Sequence, residues 1–231
     1  MPQSSFHALW QGLPSEPIVA CAAKINIHQV PADHELYFWA MQMTIADPSG
    51  RGRGGMHTGL QHNPRFVKTG MRSVNWGGYV EGTNTVLPGT DPELPFFPGD
   101  PNTAGFEWEA NRSYWMRVYR GQRGWIADIT DLITQHTTVI REVFSPGDRL
   151  TNFLVWAEIF APCEHSPTIA RWSDFTVQTA DGALHHPTSV RLTFPGSCTN
   201  TNTVADGNGV TLQSSVSRLA RHGDVVPLAE Q

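Results

Sequence analysis

Polar and apolar residues alternate in steps of two along most of the chain, the spacing of strands with one buried face. Residues 22–29 put Ile25 and Ile27 on one side. The same signal predicts strands over 35–45, 56–62, 73–80, 106–109, 114–120, 152–160, 175–179, 190–194 and 210–217. Turn formers separate them, as in Asp47-Pro48-Ser49-Gly50, Ser145-Pro146-Gly147-Asp148 and Asp181-Gly182. Helical spacing occurs once, at Ile129, Leu132, Ile133 and Ile140, where Thr130, Thr134, Thr137 and Thr138 weaken helix propensity. The pattern predicts an all-β chain with little helix, an antiparallel β-sandwich or jelly roll. Buried positions should include Ile25, Ile27, Phe38, Leu60, Val74, Val118, Leu154 and Ile159. Residues 1–21 are expected as an N-terminal extension and 22–231 as one sandwich domain. Residues 83–105 hold five prolines, cannot be regular sheet, and are expected as an ordered flap.

Composition narrows the partners. The chain has 231 residues with 39% apolar and 16% charged, enough to form a core and too weakly charged to be disordered. Its net charge of -5 leaves no cationic surplus for nucleic acid or an anionic membrane. No uninterrupted apolar run is long enough to span a bilayer. Residues 1–17 lack the basic and apolar regions of a secretion signal, so the expected location is the cytoplasm, or outside the cell after a leader has been removed. Of three cysteines, Cys163 and Cys198 lie in polar loop sequence and are candidates for a disulfide, whereas Cys21 sits among small apolar residues. No cofactor motif is present. Asp206-Gly207-Asn208-Gly209 offers oxygen ligands for Ca2+ but reads better as a hairpin turn, and no metal residue is assigned.

The candidate site rests on strands that place polar groups between aromatics. In 155–160, Trp156, Glu158 and Phe160 share a face opposite Val155, Ala157 and Ile159. In 114–120, Trp115, Arg117 and Tyr119 share a face. His57 and Gln61 lie on one face of a third strand, and Trp76 and Tyr79 flank a diglycine in a fourth. A concave sheet face bearing Gln61, Trp76, Tyr79, Trp115, Arg117, Tyr119, Trp156 and Glu158 would stack on sugar rings and bond their hydroxyls. A carbohydrate or other small polar ligand is therefore the expected partner, and Arg117 with Glu158 could equally be a buried ion pair. Were the chain an enzyme, Glu158 or His57 would act as base and Arg117 would stabilise developing negative charge.

The order of four segments adds a resemblance: Thr58-Gly59-Leu60-Gln61, Arg72-Ser73-Val74-Asn75-Trp76, Ser113-Tyr114-Trp115-Met116-Arg117-Val118 after Trp108, and Trp156-Ala157-Glu158-Ile159-Phe160. Over roughly residues 22–180 it resembles an uncharacterised bacterial β-sandwich family that is similar to concanavalin A-like lectins and glucanases. Asn75 before Trp76 and the proline-rich loop depart from that pattern. The resemblance implies a lectin-like, carbohydrate-binding or surface-recognition sandwich. The alternatives are a polysaccharide lyase or glycoside hydrolase on the same scaffold, or a cytoplasmic small-molecule biosynthetic enzyme.

Overall fold

In the computed structural model, residues 3–229 are described, and their regular structure is almost entirely strand, joined by turns and loops. In chain order these are β1 (Ser4–Gln11), β2 (Ile18–Gln29), β3 (Tyr37–Ala46), β4 (Gly52–His62), β5 (Arg72–Val80), β6 (Phe96–Phe97), β7 (Asp100–Gly105) and β8 (Ser113–Arg120). There follow β9 (Trp125–Asp131), β10 (Thr137–Val143), β11 (Arg149–Ile159), β12 (Ile169–Thr179), β13 (Leu184–His185), β14 (Ser189–Thr193), β15 (Thr201–Asp206), β16 (Gly209–Ser214) and β17 (Val225–Pro227). One helical turn, Val67–Thr69, precedes β5, and among the described residues no helix is long and apolar enough to cross a membrane.

Every pairing is antiparallel, and the strands curl into two facing layers. One layer runs β17-β14-β1-β11-β3-β4-β5-β7-β6. The other runs β10-β9-β8-β2-β12-β16-β15, with β13 beside the far end of β12. Leu150 of β11 paired with Ile18 of β2 is the seam between them.

Large aromatic side chains fill the interior. Trp10 of β1 packs on Phe175 of β12 at 4.8 Å, Trp39 meets Trp108 edge-to-face at 6.0 Å, and Trp76 of β5 donates its Nε1–H to the Trp125 carbonyl of β9. Two bulges keep the core phase intact. In β11 the register slips between Thr151 and Leu154, in β12 between Ser173 and Thr176. Asn152 and Asp174 occupy these bulges at φ 52° and 55°, a region where Asn and Asp are favoured among non-glycine residues. After the slip, Val155, Ala157 and Ile159 face inward and Trp156 and Glu158 face out.

The sandwich architecture is as expected, and several local expectations need correction. The segment with helical spacing is the β9–β10 hairpin, where Gln135 at φ 58° helps turn the chain between Thr130 and Thr137. The first 21 residues carry β1, hydrogen-bonded to β11 on one side and β14 on the other, together with the start of β2. The proline-rich segment includes the short β6–β7 pair, with Leu87 buried and Leu94 packed against the core. Seven of the eight expected core residues are buried; Leu154 is only partly so, and Phe38 is buried on the outer face of its sheet rather than between the layers. Cys163 and Cys198 form a disulfide, and Cys21 is free and buried. Asp206 to Gly209 is the turn between β15 and β16, with Gly207 at φ 60° and the Asp206 carboxylate engaged by Arg171.

Candidate active site

The outer face of the first layer is concave and carries a groove of about 510 Å3. Its rows follow from the strand register. Glu158, Phe38, Gln61 and Ser73 lie side by side across β11, β3, β4 and β5, and Ser5 of β1 extends the row beyond Glu158. The next row is His7, Trp156, Ala40, Gly59 and Asn75, and the third is Leu154, Gln42, His57 and Gly77. Ala40, Gly59 and Gly77 are the small residues of these rows. Phe38, His57 and Trp156 make an aromatic wall, with ring centroids 4.8 Å apart for Phe38–Trp156 and 5.4 Å for Phe38–His57. Tyr79 and the turn after β5, through Glu81 to Thr83, line the opposite side.

Three side chains on this face have defined electrostatics. Burial raises the Glu158 carboxyl above the usual carboxylate range, opposed by a hydrogen bond from Ser5 Oγ to its Oε1 at 3.4 Å. Burial pushes His57 down to about 4, so its ring is neutral at pH 7. Gln61 accepts at Oε1 from Asn63 Nδ2 at 2.9 Å and from Ser73 Oγ at 3.2 Å, which reserves its amide N–H groups as donors toward the groove it lines. Gln42 instead accepts from Trp156 Nε1 at 3.0 Å and fixes that ring. Among the described residues no group of three or more His, Cys, Asp or Glu side chains is placed to hold a metal ion.

The structure divides the expected site residues. Gln61, Tyr79, Trp156, Glu158 and His57 line one groove. Trp76 is fully buried between the layers, because even-numbered residues of β5 point inward with Val74. Trp115, Arg117 and Tyr119 lie on the outer face of the second layer, on the far side of the sandwich, since the core-facing residues of β8 are Tyr114, Met116 and Val118. Arg117 therefore has no contact with Glu158. It pairs with the buried Asp128 at 2.6 Å and lies over the Tyr119 ring. The composite aromatic surface expected from the sequence does not exist.

Phe38, Gln42, Asn75, Ser5 and His7 also belong to this face, although the sequence pattern does not mark them as site residues. Both faces of β3 are largely apolar, so alternation is masked there, and Gln42 between Met41 and Met43 was the available signal. In β1 the alternation of Phe6, Ala8 and Trp10 against Ser5, His7 and Gln11 is plain once the segment is considered as a strand.

No family model matches the chain, and no curated protein matches it. Solved structures do. The chain is similar to scytalido-glutamic peptidase, determined with a peptide-based transition state analog, at 13% identity and TM-score 0.51. It is similar also to SCP-B, a member of the eqolisin family of peptidases determined with the tripeptide Ala-Ile-His, at 14% identity and TM-score 0.51. Each match covers 93% of this chain and 100% of the other, so the shared fold extends over nearly the whole sandwich. Carbohydrate binding and lectin-like recognition, and the lyase and glycoside hydrolase alternatives, are overturned by this comparison: the sandwiches that match are peptidases. The resemblance to a concanavalin A-like family likewise reduces to its coarser content, an all-β sandwich.

Proposed function

We propose that the chain is a peptidase that binds an extended peptide in the groove of the first layer and cleaves it with Glu158 and Gln61. The observation that carries the reading is the placement of Glu158 and Gln61 in one row, on either side of Phe38. Two strand spacings separate their backbones by about 9.5 Å. Phe38 lies between them on the same face, so the peptide unit and the attacking water are held above its ring. The fold shared with a glutamic peptidase and with a peptidase holding a tripeptide supports the same assignment.

The roles follow from the groups. The Glu158 carboxylate takes a proton from water as the water oxygen attacks the scissile carbonyl carbon. The charge that develops on the carbonyl oxygen is met by an amide N–H of Gln61, whose orientation is set in advance by Asn63 and Ser73. Glu158 then returns the proton to the amide nitrogen as the C–N bond breaks. A carboxyl whose proton affinity is raised by burial is suited to both halves of this exchange.

The test is cleavage of an internally quenched peptide library and of a denatured protein between about pH 3 and 7. Glu158→Gln should lower kcat/KM by about 10^2- to 10^4-fold, and Gln61→Ala by about 10^2- to 10^3-fold. Wild-type cleavage by folded Glu158→Gln would overturn the assignment.

A further inference from the structure

Behind Glu158, on the side away from Gln61, lies a second pair of polar residues. Ser5 of β1 sits directly opposite Glu158 of β11, and His7, two residues on, sits opposite Trp156. Ser5 Oγ contacts His7 Nε2 at 2.9 Å and Glu158 Oε1 at 3.4 Å. Ser5 is buried and His7 half-buried, and neither is among the residues lining the groove. Their side-chain hydrogen bonds run to each other and, from Ser5, to Glu158.

The hydrogen count sets the direction of this chain. An ionised carboxylate can only accept, so the single Ser5 hydroxyl proton must point at Glu158. The Ser5–His7 contact is then completed by an Nε2–H on His7, donated to Ser5 Oγ. When Glu158 is protonated, its O–H can donate to Ser5 Oγ instead, the Ser5 proton turns to the His7 Nε2 lone pair, and the ring proton lies on Nδ1. One proton is gained at the carboxyl, and the histidine stays neutral in both states. Resting on the peptidase reading for its catalytic meaning, we propose that Ser5 and His7 are positioning residues: a hydrogen-bonded arm that orients the Glu158 carboxylate and favours its ionised form.

Burial keeps His7 neutral, with its ring lowered to about 4, so the arm acts by donation rather than by charge over most of the pH range. Other titratable and charged groups on this surface are His57 of β4, Tyr79 of β5, Glu81, Asp100 paired with Arg65, and Arg191 of β14, which sits opposite Leu9. β3 contributes only Phe38, Ala40 and Gln42. Among the described residues Ser5 is the side chain that donates a hydrogen bond to the Glu158 carboxyl, so it is the donor whose removal should move it.

The arm is tested by following the Glu158 carboxyl carbon and the His7 ring nitrogens by NMR through a pH titration, alongside the pH profile of kcat/KM. Ser5→Ala should raise the Glu158 midpoint and the acid limb of the profile by about one pH unit. His7→Phe should move both in the same direction, and His7→Gln, whose amide can still donate to Ser5, should restore them. Wild-type His7 should carry its proton on Nε2 above the Glu158 midpoint. A midpoint unmoved in Ser5→Ala, or moved equally in His7→Phe and His7→Gln, would overturn the arm; should Ser5→Ala not fold, the two His7 variants decide alone. The titration needs no substrate, so failure of the peptidase assignment, read from Glu158→Gln turnover, is separable from failure of this one.

Discussion

Two glycines of β4 offer a matched pair of substitutions that tests how closely β3 and β4 approach. Gly59 and Gly55 lie on the same face of the same strand, one two-row interval either side of His57. A Cβ added at Gly59 would come within 2.1 Å of the Trp39 carbonyl oxygen and 2.6 Å of the Ala40 Cα. At Gly55 nothing lies within 4 Å of that position. To bring the Gly59 contact out to an ordinary 3.4 Å, β3 and β4 must part by about 1.3 Å. A separation of that size breaks the adjacent ladder hydrogen bonds, each contributing about 1 kcal/mol, and adds an overpacking cost of about 1 to 3 kcal/mol. Gly59→Ala should therefore destabilise the protein by ~3 kcal/mol. Gly55→Ala should lie within about 1 kcal/mol of wild type, because a less flexible unfolded chain offsets small losses. Thermal unfolding followed by tryptophan fluorescence should separate the two variants by ~6 to 12 °C. Since Phe38 and Gln61 are carried by the strands that part, peptide cleavage should fall with Gly59→Ala beyond what lost stability explains. Equal melting temperatures for the two variants would refute the close approach of β3 to β4.

Reduction of Cys163–Cys198, which closes a loop with a sequence separation of 35, should lower stability by about 3 to 4 kcal/mol on the loop-entropy estimate; unchanged denaturation midpoints with and without reductant would contradict it. Stability should also decline between about pH 6.5 and pH 4. Burial holds His7 and His57 near 4, below the 6.5 of an exposed ring, so the unfolded chain binds more protons than the folded one in that window. Their contribution is complete above about pH 6.5 and is lost as the pH falls, and urea midpoints that rise on acidification through this range in wild type but not in His57→Gln would reverse the sign of the argument.

Two-residue periodicity made much of this molecule legible. It separated Val155, Ala157 and Ile159 from Trp156 and Glu158, and it put His57 and Gln61 together, both as found. What periodicity cannot state is which of two sheets a strand joins. Trp115-Arg117-Tyr119 alternates just as Trp156-Glu158-Phe160 does, because the outer face of each layer meets water. Long-range pairing, Ala22 with Arg117 in one layer and Phe38 with Glu158 in the other, sends them to opposite sides. Trp76 was a different error. Its parity matches Val74, not Tyr79, and grouping it with Tyr79 by their shared aromatic character overrode the spacing. The pairing of Ser5 with Glu158 joins residues 153 positions apart, and no local pattern announces it.

The free thiol has a practical consequence. With Cys163 and Cys198 joined, Cys21 is the one remaining sulfhydryl, packed at the β2–β8 seam opposite Val118 and driven far toward its protonated form by burial. An alkylating reagent can reach it only when the second layer opens around β2, which pairs with both β8 and β12 there. The native sequence thus contains its own probe of breathing in the second layer: the rate at which Cys21 is labelled gauges how often β2 leaves its neighbours, with no dye, tag or substitution introduced.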